Sequence, residues 1–132
     1  MIADKFDMPT FPDLITSRRQ WIETVLEPWC RSALRRDLLQ AEQAWLDIAG
    51  RPSPESTLWL WAWSRFPVLR AAGLPTLNET APVVVHCRDG TVSTGFPDAR
   101  RSVAGQLWLV GPGGATFGPF SIDEILSVDS AQ

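Results

Sequence analysis

Apolar positions recur every three or four residues through the first half of the chain and every second residue beyond it, and the period changes near Pro82. Ser17-Arg18-Arg19-Gln20 reads as a capping box and predicts a helix start. Ile22, Val25, Leu26 and Trp29 would place one apolar stripe inward, and Pro28 predicts an end or kink near Glu27. Leu34, Leu38, Ala41, Trp45 and Ile48, widened by Leu39 and Leu46, predict a long amphipathic helix that stops at Gly50 before Arg51-Pro52. Ser53-Pro54-Glu55 restarts a helix with a serine cap, proline in the first turn and an acid facing the positive end of the dipole. That helix is expected to run to about Phe66. The segment Leu58 to Trp63 is apolar on nearly every face, and the cap before it together with Phe66 after it favours helix over strand. A short turn from Pro67 to Ala72 completes a helical half of about four helices over residues 1–73.

Residues 74–82 hold breakers without periodicity and read as a connection. Then Val83, Val85 and Cys87 alternate with Val84, His86 and Arg88, Asp89-Gly90 supplies a two-residue turn, and Thr91 to Phe96 returns as a second strand. Gln106–Val110 predicts a third strand and Ala115–Phe117 a fourth, interrupted by Gly118-Pro119. A single helical turn capped by Ser121 leads into a fifth strand over Ile125–Val128. Five short strands over 83–129 with one helical turn before the last resemble small barrels of the Src-homology-3 and Sm-like kind. The expected fold class is therefore α+β, an N-terminal helical half packed against a C-terminal five-stranded antiparallel small barrel. The two halves stand either as lobes or as one compact unit sharing a core.

A chain of 132 residues with 45% hydrophobic and 20% charged residues has the size and composition of one globular domain. The longest apolar run, Leu58 to Trp63, is far short of the roughly 20 residues that cross a bilayer, and the N-terminus carries acids where a signal peptide carries bases. A soluble cytoplasmic protein with no membrane contact is expected, with Cys30 and Cys87 as buried free thiols. The net charge of −3 argues against a dominant nucleic-acid surface.

Candidate chemistry is sparse. One histidine and two distant cysteines give no metal-ligand spacing, and His86 and Cys87, adjacent on a strand, point to opposite faces and cannot act as base and nucleophile. Gly111-Pro112-Gly113-Gly114 precedes a strand and reads as a hairpin loop, not a phosphate cradle. Asp123 and Glu124 sit where acids complement a helix dipole. Arg31 and Arg35 share a helix face, with Arg36 beside them, and read as a solvated surface. No catalytic residue, metal or cofactor is assigned.

Tryptophan is the exception: seven occur, with no tyrosine. A helical half of this size cannot readily enclose six of them, so Trp61 with either Trp59 or Trp63 is expected at the junction with the barrel or at a protein interface, where tryptophan is enriched. Trp59, Trp61, Trp63 and Trp108 are the candidate partner-binding residues. Trp108, Gly118-Pro119-Phe120-Ser121 and Ile125 are also similar to the signature of GYF domains, a likeness that implies binding of proline-rich peptides. The expected function is a non-enzymatic binding or assembly protein for a protein partner or a second copy of itself. The alternative is an RNA-binding Sm-like barrel using Arg88, Arg100 and Arg101, and proline-rich peptide binding is third.

Overall fold

The computed structural model describes residues 10–49 and 53–132. Among these, three α-helices precede five strands, so the helical half holds three helices where about four were expected. The first, α1, is α-helical over Phe11–Trp21, π-helical over Ile22–Leu26 and α-helical again over Glu27–Ser32. Its start lies seven residues before the expected one. Thr10 accepts from the Asp13 N–H and Asp13 accepts from the Thr10 N–H, a capping box with proline in the first turn, which leaves Ser17 inside the helix.

Pro28 does not break α1. One turn ahead of it the helix widens and the Glu27 N–H reaches the Ile22 carbonyl, five residues back, so the missing donor and the bulk of the proline ring are absorbed by the π turn. The chain leaves the helix at Ala33 instead, whose backbone is extended.

Helix α2 spans Arg35–Ala49 and buries Leu38 and Trp45. Its first N–H, on Arg35, donates to both carboxylate oxygens of Asp123 at 3.0 and 3.2 Å, so the cap of α2 comes from the far end of the sequence. The expected stop at Gly50-Arg51-Pro52, the side chains of Leu46 and Ile48, and the N-terminal segment 1–7 lie outside the described residues. Ser53 caps a 3-10 turn over Pro54–Ser56, and Thr57 leaves helical geometry before α3 begins. Helix α3 therefore covers only Leu58–Trp63, and a 3-10 turn over Pro67–Leu69 follows.

Strands β1 (Val83–Cys87), β2 (Val92–Pro97), β3 (Gln106–Val110), β4 (Thr116–Ser121) and β5 (Ile125–Ser130) form an antiparallel sheet in the order β4-β3-β2-β1-β5. The sheet is not closed, and β4 and β5 are its edges. The β1–β2 hairpin turns at Asp89-Gly90, where Gly90 has φ +92°, and pairs Val84 with Thr94. Gly118-Pro119 does not interrupt β4. An edge strand tolerates a residue without an N–H, and the register shift between Leu107 and Leu109 absorbs the irregularity.

Leu38, Trp59 and Trp63 from the helices and Val85, Leu107 and Ile122 from the sheet half belong to one buried cluster. The two halves meet at the loop before β3. The Arg35 Nε–H donates to the Ala104 carbonyl at 2.7 Å, the Ala104 N–H donates to Glu55 Oε2 at 3.1 Å, and the Trp59 ring fills the space beside Gly105. Ala104 is the one described non-glycine residue with positive φ, +54°, held there by both bonds.

Burial at this junction pushes the Glu55 carboxyl above its ordinary value, against the lowering effect of the Ala104 N–H, and Glu42 nearby raises it further. A raised folded value means that the favourable contribution is complete below the ordinary carboxyl value of 4.5 and is lost as pH climbs through the folded one. Glu55→Gln, which keeps an acceptor for Ala104, is therefore expected to raise the thermal midpoint at pH 7 and to leave it unchanged near pH 4. Equal shifts at both pH values in a calorimetric series would contradict this.

Candidate interaction surface

Among the described residues, helix α1 is the one of the three that leaves its apolar face largely bare. Its Phe11–Trp21 segment buries no residue, and Phe11 is 74% exposed, Trp21 49% and Trp29 41%. Leu14, Ile15 and Val25 are exposed with them. Among the described residues, the body of the protein buries this helix toward its C-terminal end, where Leu26 packs against the core and Cys30 is fully buried.

The π turn organises this face. Leu14 and Trp29 are fifteen residues apart, which in a regular α-helix is about 4.2 turns and would rotate one away from the other. The wider turn over Ile22–Leu26 brings the total close to four whole turns, so Leu14, Trp21, Val25 and Trp29 form one straight row. Phe11 and Ile15 lie beside it, while Asp13, Gln20 and Glu23 occupy the remaining circumference. Isolated apolar residues on a surface need no explanation, but a contiguous row of this size on a projecting helix does.

The residues singled out from sequence are placed otherwise. Trp59 and Trp63 are 0% and 2% exposed and present no ring to a partner. Trp59 lies at the junction between the halves, its indole N–H donating to Glu42 Oε1 at 3.1 Å. Trp61 is half-buried and meets Trp45 edge-to-face with ring centroids 5.9 Å apart. Trp108 is half-buried on the outer side of β3, with the Arg101 guanidinium 3.5 Å from its ring centroid and Gly118 packed beneath its edge. Sequence reasoning missed Trp29 because it turned its stripe inward, and Trp21 because it left that residue outside the stripe. The signal that would have found them is Thr10-Phe11-Pro12-Asp13, which extends α1 beyond what two further helices can cover.

The arginines do not assemble into one patch. Arg88 donates through Nε to the Asp123 carbonyl where β1 meets β5, whereas Arg101 is stacked on β3, two strands away in the sheet order, and Arg100 is exposed in the loop between β2 and β3. Arg35 is consumed by the junction. Arg36 makes a surface contact with Asp37 at 3.9 Å, a pairing of little energetic weight.

A cleft of about 290 Å³ opens at the foot of α1, with Ser32, Leu34, Arg65, Arg88 and Asp123 on its walls. Arg65 and Asp123 there are committed to backbone groups of the helices, so the cleft holds no pair of free acid and base. Cys30 and Cys87 are free and buried. Burial pushes the Cys30 thiol up to about 12 and raises that of Cys87 as well, which is the setting of inert thiols. His86 is half-exposed and its Nε2 lies 3.6 Å from Asp129, on the face of β1 opposite to Cys87. Among the described residues no group of three or more His, Cys, Asp and Glu side chains stands ready to hold a metal, and no helix is long and apolar enough to cross a membrane.

No known family, curated protein or solved structure matches the chain.

Proposed function

We propose that this is a non-enzymatic binding or assembly protein whose docking element is α1. One observation carries the reading: a helix that gives almost none of its apolar face to its own core yet keeps Leu14, Trp21, Val25 and Trp29 in a single row. Exposed tryptophans at the centre of an apolar row are the residues that dominate binding energy once covered. The rest of the molecule serves as a mount. The sheet order, with a 3-10 turn before the last strand, supports placing the C-terminal half with the small barrels of the Src-homology-3 and Sm-like kind.

RNA binding through Arg88, Arg100 and Arg101 has less support, because those side chains are dispersed and two of them are engaged. Proline-rich peptide binding at Trp108 has less still, since Arg101 already covers the ring.

The reading is tested by placing a photo-crosslinking benzophenone side chain at Leu14 of the full chain and irradiating cells that make it. A protein adduct is expected at this position and none at Gln20, on the opposite face. Absence of any adduct at Leu14 would end the proposal.

A further inference from the structure

Resting on that reading, we infer that the occupant of the α1 face is α1 of a second copy of this chain, laid antiparallel so that the two Trp21 side chains meet near the twofold axis. Three features support it. The first is area: the exposed parts of Phe11, Leu14, Ile15, Trp21, Val25 and Trp29 amount to roughly 700 Å², close to the roughly 800 Å² each partner contributes to a standard interface.

The second is shape. The row is straight over about four turns, and a straight row matches another helix of the same kind along its whole length. About Trp21 the row is nearly self-complementary: Leu14 of one copy comes level with the Trp29 region of the other, and Val25 with Arg18. The smaller residue at one end faces the larger at the other, and the two bodies, each attached at the C-terminal end of its helix, stand apart at opposite ends of the pair.

The third is charge. Along α1 the order is acid at Asp13, base at Arg18 and Arg19, then acid at Glu23 and Glu27. A parallel in-register pair would set Arg18, which lies in the row between Leu14 and Trp21, against Arg18 of the other copy, and like charges repel. The antiparallel pair separates the two Arg18 side chains, each level with Val25 of the other copy, and so selects the orientation.

The same benzophenone chain, purified and irradiated, tests this. A product of twice the chain mass is expected, with Leu14 joined to a peptide containing Trp29. Joining of Leu14 to the Leu14 segment of the second copy overturns the antiparallel arrangement. Adducts in cells only with other proteins overturn self-pairing and leave the docking reading intact, whereas no adduct anywhere overturns both. Sedimentation equilibrium supplies a second measurement: Val25→Arg, at a position exposed in the single chain and level with Arg18 of the second copy, is expected to keep the helical circular dichroism and to weaken dimerisation at least a hundredfold. A wild-type chain that sediments as a monomer at high micromolar concentration overturns the inference.

Discussion

Trp59→Ala is expected to lower the stability of the fold by about 3–5 kcal/mol, the range for deleting a fully buried aromatic side chain. Three losses coincide at this site. The indole fills the space between α3 and the loop before β3, where a Cβ built on Gly105 would lie 2.6 Å from the ring; that closeness, with φ +77°, is why the position holds glycine. Its N–H is the donor to Glu42 Oε1, and its removal leaves a partly buried carboxylate oxygen without that partner. The junction itself also loosens, because Ala104 and its bonds to Arg35 and Glu55 adjoin the vacated volume. Urea unfolding followed by circular dichroism measures the change. A loss under about 1.5 kcal/mol would mean that the halves are held together elsewhere.

Arg65→Ala is expected to cost about 2–4 kcal/mol, although Arg65 is not part of the apolar core. Its Nη2 donates to the carbonyls of Cys30 and Ala33, both at 2.8 Å, and its Nε to that of Ala62 at 3.0 Å. Cys30 and Ala33 are at the C-terminal end of α1, where carbonyls have no intrahelical donor. One guanidinium thus closes α1 and ties it to α3. Arg65→Lys should recover only part of the loss, because an ammonium is a point donor without the planar fork that reaches three carbonyls at once. Chemical denaturation of both variants separates the possibilities. Equal stability of wild type and alanine variant would show that water replaces the guanidinium without penalty.

The β half was legible where local chemistry dictates geometry. Asp89-Gly90 flanked by alternating residues identifies its hairpin unaided, and the Ser121 turn before the last strand was equally readable. Gly118-Pro119 was misread because tolerance of proline depends on whether a strand lies at an edge, a property of the assembled sheet. The helical half was legible in period but not in partner. Ile22, Val25, Leu26 and Trp29 do share helical spacing, yet periodicity states only that a face is apolar, not what covers it, and here Leu26 turns inward while Val25 and Trp29 do not. Pro28 predicts an end or kink, and not an unbroken helix, because a π turn leaves no mark in the sequence. The contacts that join the halves were beyond reach for another reason: Arg35 and Asp123 are 88 residues apart, and nothing in either segment names the other.

The Ala104 peptide group carries one further consequence. Its N–H belongs to the sheet half and its acceptor to the helical half, so this amide trades its proton for solvent deuterium when the contact between the halves breaks. A single resonance in an exchange experiment would thus serve as a gauge of how often the molecule opens along its internal boundary, and of whether covering α1 changes that frequency.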